Sequence, residues 1–519
     1  MDSGGSAYDV VVAGGGHNGL TAAAYLARAG LSVLVLERLD HTGGAAISAP
    51  PFAGFETRVS RYSHLVSLLP AQVVQDLGLD LELRSRPTAS YTPVVRNGKP
   101  VGLHVEREEG DETRRSFAEL TGSDAEYDAW RAFYSDVAGV AAVVFPTLLS
   151  PLPLERDVRE RVDKGVWRDL VAQPLGVTIE ERFSDDTVRG VVAADALIGT
   201  FASMHDDSLV QNRCFLYHRL GGDWRVPVGG MGALTTALAK AAADAGAEVV
   251  TGAGVSSIRA GDDGAEVTWH DGSSDHTVAA RFVLANVAPW VLHILMGEPD
   301  DDENKPQGAQ LKIDFLLDRL PRLKSGMNPE VAFAGSLHVG QDYSRLEAAY
   351  ADAAAGRVPT SMPGEVSCPS LTDPSILGDV PEGTHILTYV GLHTPASLFE
   401  NDPDAKELAV RRAIESLDEH LAEPLLDCVT RDADGRPCID ATTPQDLEQQ
   451  LAMPGGHIFH GQLDWPWAPN RARLDTPAQQ WGVQTDVPSV LLCGSGARRG
   501  GAVSAIGGHN AAQAVLAMR

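Results

Sequence analysis

A chain of 519 residues, 44% hydrophobic and 22% charged, has the composition of a folded globular protein large enough for two to four domains. Its 42 Lys+Arg against 70 Asp+Glu leave a formal net charge of −28, a field that repels phosphodiesters and anionic lipid and excludes nucleic acid as a partner. The five cysteines include no C-x-x-C pair, the opening MDSGGSAYD has no targeting pattern, and the longest apolar stretch, 137–145, falls far short of the ~20 residues that span a bilayer. A cytoplasmic protein without a transmembrane segment is expected, with peripheral membrane contact left open.

Residues 8–37, YDVVVAGGGHNGLTAAAYLARAGLSVLVLE, predict a strand, a glycine turn, a helix and a second strand closed by an acid. Gly14, Gly16 and Gly19 form G-x-G-x-x-G. Gly14 permits the tight turn, Gly16 lets the backbone approach a pyrophosphate, and Gly19 brings the helix against the sheet. The amides and positive end of that helix then face the phosphates. Glu37, about twenty residues on, is placed to accept both ribose hydroxyls of an adenosine and to repel a 2′-phosphate.

Gly43-Gly44 forms a second flexible turn that would run beside a bound cofactor. Asn97-Gly98 predicts a hairpin turn closing a strand over 90–96. Residues 116–221 are mainly helical in pattern, and the apolar segment 137–145 is expected to be buried all round rather than to admit a lipophilic substrate from a membrane surface. PVGGMGAL, 227–234, starts a helix and short strand that return the chain to an α/β layer. Alternating strands over 265–270 and 276–286 predict a meander around Asp271-Gly272. Residues 299–308 read as a linker whose acidic run from Asp300 to Glu303 is a solvated loop. Strands over 311–317 and 385–392 and a helix over 406–421 follow, and 489–519 closes the chain as strand, glycine-rich loop and helix. The expected fold is α/β. A nucleotide domain is assembled from the discontinuous segments 1–95, 222–300 and 475–519, and an α+β substrate domain from 96–221 and 301–474, with 116–221 as its helical insertion.

The segments AGGGHNGL, LERLDHTGGAA, PVGGMGAL, GGHIFHGQL at 455–463, and LCGSG followed by GGAVSAIGGHNAA resemble the phytoene-dehydrogenase-like group of FAD flavoproteins within the amine-oxidase superfamily. The resemblance spans nearly the whole chain. It implies FAD in a Rossmann-like domain, with Gly14, Gly15, Gly16 and Gly19 at the pyrophosphate, Glu37 and Arg38 at the ribose end, and Gly43, Gly44 and Ala45 beside the flavin arm. Val255 would lie by the adenine, and Gly494, Gly501, Ala502 and Val503 would approach the pyrophosphate and isoalloxazine. Two departures stand out: Arg498-Arg499-Gly500-Gly501-Ala502 replaces the group's His-Pro and three glycines, and Gly507-Gly508 stands where Pro-Gly is common. The two arginines either border the flavin or sit at the surface, and the surface is favoured.

The resemblance further implies hydride transfer from a largely apolar small molecule to flavin N5, of dehydrogenase or desaturase type. The alternatives are an oxygen-using amine oxidase, a redox-neutral isomerase working on reduced flavin, and a binding protein akin to prenyl-GTPase chaperones, against which the intact glycine fingerprint and Glu37 speak. A disulfide reductase is excluded by the absence of a redox cysteine pair. His457 and His460 have no further ligand at metal-binding spacing, so no metal is expected. Tyr62 and His64, in a segment this group brings close to the flavin, are candidate substrate contacts, as are His460 and Trp465, for which packing roles are favoured.

Overall fold

The computed structural model describes residues 7–299, 302–400 and 402–519. The first strand, Ala7–Ala13, lies centrally between Val33–Leu36 and Asp275–Ala285 and runs parallel to both. Where they pair, residues 10–13, 33–36 and 282–285 are continuous apolar runs because both faces of the sheet are covered. On one face the helices His17–Arg28, Met231–Asp244 and Ile506–Ala517 bury Leu20, Leu26, Leu234, Leu238 and Val515. On the other, Val11, Leu34 and Val283 pack with Ile258, Val267 and Leu292. Gly254–Gly261, Gly264–His270 and Asp275–Ala285 form the meander antiparallel, while Val490–Leu492 joins the end of Asp275–Ala285 in parallel. Strands far apart in sequence thus meet in one seven-stranded sheet.

A second seven-stranded sheet has the order Ile439–Thr442, Leu311–Leu317, His385–Gly391, Gly364–Ser367, Ser336–Val339, Thr88–Arg96, Lys99–Glu106. Asn97 and Gly98, with φ of 53° and 75°, make the tight turn of its terminal hairpin. The expected boundary at residue 95 is therefore corrected: Thr88–Arg96 belongs to this sheet, pairing with Ser336–Val339. The chain crosses between the two sheets where Leu83–Ser85 pairs with Arg225–Pro227. An Asn-Gly signal fixed the hairpin locally, but nothing local says which sheet it joins.

The helical region packs as one cluster around Phe117, Phe133, Val188 and Phe215. Segment 137–145 is not buried all round. In the helix Ala125–Val144, Phe133, Val137, Val140 and Val144 are buried on one stripe, and the outer face carries small residues such as Ala138, Gly139 and Ala142. Asp300 and Asp301 of the expected linker lie outside the described residues; its end is pinned, with the Gly308 amide donating to Gly455 O at 2.8 Å. Among the described residues no helix is long and apolar enough to cross a membrane.

Candidate functional site

The cleft begins where the first strand ends. Gly14 has φ of +105°, and a Cβ on Gly19 would overlap the Gly14 carbonyl oxygen, so helix and turn approach as closely as glycine permits. Gly16 is the N-cap of His17–Arg28, and no acidic side chain in the first turn offsets the positive helix end. Glu37 is 7% exposed. Its Oε2 accepts the Gly15 amide and its Oε1 the Leu39 amide, each at 2.8 Å, which orients the carboxylate and leaves lone pairs for a ribose. Asn286 Nδ2 donates to Gly14 O at 2.9 Å and holds the turn from the neighbouring strand end.

From this turn a cavity of about 310 Å³ runs past Gly44 and Ala45 to Ala502 and Val503, then on between the two domains. Of the residues anticipated from sequence, Gly14, Gly16, Glu37, Arg38, Gly44, Ala45, Val255, Ala502 and Val503 line it, as do Tyr62, His64 and His460. Gly15, Gly19, Gly43, Gly494 and Gly501 form its supporting layer: the Gly43 amide donates to Gly15 O at 2.9 Å, and Tyr217 hydroxyl donates to Gly501 O. As a candidate substrate contact Trp465 is corrected, and it takes the packing role that was favoured for it. It does not line the cavity, because its ring stacks on Trp467 at 5.0 Å and 10°.

The arginines are corrected as well. Arg499 is neither at the surface nor in the cleft; it is 3% exposed and donates to the carbonyls of Thr147 (2.7 Å), Ser150 (2.8 Å) and Trp481 (3.2 Å). Burial, then the charge of Arg498, pulls its pKa down to about 9. Arg498 holds the carbonyls of Trp465 (3.2 Å) and Trp467 (3.0 Å) and pairs with Asp464 at 2.9 Å. Both are staples that tie the loop before the last helix to its surroundings. At Gly508, where the family pattern also has glycine, a Cβ would overlap the Asn18 carbonyl oxygen; at Gly507, which stands in place of proline, a Cβ would crowd the carbonyl oxygens of Cys493 and Gly494 at 2.8 and 2.9 Å.

The sequence reading missed Lys312, His17, His218 and Trp224, all of which line the cleft. Lys312 pairs with Asp314, which also accepts Thr388 Oγ1 at 2.6 Å; burial pulls the lysine down against the opposing pull of that carboxylate. The signal was present: Lys and Asp two apart in LKIDFLL share one face of an otherwise apolar strand. Burial lowers His64 to about 3, helped by Lys312 and Arg86, and lowers His460 and His17 to about 4. With His218, which burial also lowers, four neutral imidazoles therefore face the cleft near neutral pH. His460 has φ of 62° and a buried Nδ1 with no partner. The glycine turn, the oriented carboxylate and the elongated cavity fit FAD.

These features define a flavin-dependent oxidoreductase. The chain belongs to the family of flavin-containing amine oxidoreductases, whose model matches residues 19–431, and FAD is its cofactor. It is 49% identical to an uncharacterized protein of Mycobacterium tuberculosis, covering 98% of this chain and 97% of that one. It is 29% identical to pyridine nucleotide-disulfide oxidoreductase domain-containing protein 2 of Mus musculus (98% and 93% covered), and 24% identical to the chloroplastic prolycopene isomerase of Arabidopsis thaliana (84% and 72%). A solved putrescine oxidase variant shares the fold at a TM-score of 0.58 and 17% identity, covering 99% of both chains.

Proposed function

We propose that the protein is a dehydrogenase of the desaturase type, which takes a hydride from the apolar body of a small organic substrate lying between the two domains. One observation carries this reading: the cleft wall is mainly apolar, with Leu65, Ile198, Val291, Leu295, Leu451 and Ile458 among the residues that line it. Its aromatic side chains are Tyr62, Trp224 and Phe459, the last two each packed on His218 at 5.5 and 5.9 Å between ring centroids. The name of prolycopene isomerase points to an apolar isoprenoid substrate in a relative of this chain.

Bound FAD supplies a hydride acceptor at N5. In this reading Gly14, Gly16, Gly44, Ala45, Ala502 and Val503 bring backbone against the cofactor, Glu37 binds its ribose, Arg38 lies at that ribose end and Val255 lies by the adenine. The aliphatic wall excludes water from the reacting carbons. Removing a hydride and a neighbouring proton forms the new double bond, and we assign the proton to neutral His460, whose Nδ1 is free to accept it. Tyr62 and His64 contact the substrate. Lys312, held by Asp314 on the wall of the same cleft, would offer a hydrogen-bond donor to the bound cofactor or substrate.

Anaerobic mixing of the FAD-loaded protein with a panel of isoprenoid alkenes and of amines tests the reading. Bleaching of the flavin by an alkene is expected. Bleaching by amines alone, with peroxide released in air, would replace it with an amine oxidase. The relationship to an isomerase favours one second reading: alkene isomerisation that appears only after the flavin has been reduced.

A further inference from the structure

A second cavity, of about 360 Å³, lies between the second sheet and the helical region. Its walls carry Arg86, Asp195, Arg219, His338 and Glu365, whereas those of the cleft are mainly apolar. The two are neighbours. Trp224 lines both and stacks on His218 of the cleft at 5.5 Å and 29°, and His64 in the cleft feels the charge of Arg86.

Arg86 is the anomaly. It is 7% exposed, its Nε has no partner, and its one hydrogen bond runs from Nη1 to Ser336 Oγ at 3.5 Å. No carboxylate among the described residues comes within 4.0 Å of it. The nearby acids are otherwise engaged. Asp195 pairs with Arg219, Asp223 accepts Ser85 Oγ, Glu106 accepts the Thr113 amide at 3.0 Å, and Glu109 accepts Trp130 Nε1 at 3.0 Å. Glu365 sits 3.8 Å from His338, and burial and Asp195 push its carboxyl up to about 7 against the opposing pull of Arg86 and Arg219, so it is only a partial counter-charge near neutral pH. Arg86 therefore has no counter-ion in contact and feels Glu365 and Asp223 only at longer range, while burial pulls its pKa down; a guanidinium buried in this way gains from a ligand that pairs with it directly.

We propose that this cavity is a carboxylate subsite, so that the substrate lies with its apolar body in the flavin cleft and its carboxylate beyond Trp224 on Arg86. The inference rests on the reading of the cleft as an apolar substrate site. The guanidinium fork takes a carboxylate through two parallel N–H donors, and the hydroxyls of Ser336 and Thr88 border the same space. A protonated Glu365 adds a donor, and an ionised one opposes the ligand.

The FAD-loaded protein is titrated calorimetrically with decanoate, decanol and acetate while the flavin spectrum is recorded. Decanoate is expected to perturb the flavin and to bind at least about tenfold more tightly than decanol. Arg86→Gln should weaken decanoate at least about tenfold and leave decanol within about twofold. Glu365→Gln, a second variant should Arg86→Gln fail to fold, should tighten decanoate by removing a carboxylate that faces it. Equal binding of acid and alcohol, or decanoate affinity untouched by both substitutions, overturns the subsite; a flavin still perturbed by decanol then leaves the cleft reading standing. Acetate binding as tight as that of decanoate would make the cavity a free-anion site and overturn the assignment to substrate. If neither ten-carbon compound perturbs the flavin, the cleft reading fails and the subsite falls with it.

Discussion

The two sheets of this molecule bury different things. In the first, the central strands VVVA and VLVL are wholly apolar, and recognition is delivered by backbone where those strands end. In the second, charged and polar side chains sit on the strands themselves: Lys312 and Asp314 on Leu311–Leu317, His338 on Ser336–Val339, Glu365 on Gly364–Ser367. A cofactor shared by many enzymes is bound through peptide groups, which any sequence supplies if glycine lets the chain come close. A substrate is distinguished by side chains brought together from several strands.

The contrast predicts opposite sensitivities. The largest expected effect is Gly19→Val, whose side chain must displace the Gly14 carbonyl; the purified protein should carry no yellow chromophore, and stoichiometric FAD in that variant would break the comparison at its first term. Lys312→Met strands Asp314, so thermal or urea unfolding should show a loss of about 3–5 kcal/mol. Adding Asp314→Leu should restore most of it, since a buried pair replaced whole by apolar groups costs little. Glu37→Ala should weaken FAD by about 1.5–3 kcal/mol in an equilibrium titration while leaving the fold intact.

A smaller effect is expected from pH. His64 and His338 are held down to about 3, and His17 and His460 to about 4, against 6.5 when exposed, so the unfolded chain binds protons more readily. Their stabilising contribution is full above pH 6.5 and is lost as the pH falls toward 4 and 3. Urea midpoints measured from pH 7 down to 4 should decline steadily; a flat profile would show that these imidazoles are hydrated. Trp465→Ala should give the smallest change, with a flavin spectrum like that of the unsubstituted protein, because the ring packs on Trp467 outside the cleft.

What the sequence made legible follows the same division. Gly14, Gly16, Gly19 and Glu37 stand close together in the chain at a spacing set by one turn and one helix, so reading them needs no knowledge of the rest of the fold. The hairpin at Asn97-Gly98 is local in the same way. Arg86, Asp195, Arg219, His338 and Glu365 meet in one cavity across 280 positions, each in a segment that is unremarkable by itself. Only the sheet order brings Ser336–Val339 beside Thr88–Arg96. Arg499 misled for a related reason: a charged residue in a glycine loop is ordinarily exposed, but here the carbonyls of Thr147, Ser150 and Trp481 converge on it from two other segments.

Titration of flavin-free protein with FAD tests the central claim most directly. The account predicts one FAD bound per chain, with affinity weakened in Glu37→Ala and uptake abolished in Gly19→Val. A protein that takes up no FAD, or one whose uptake is the same in all three forms, would contradict it.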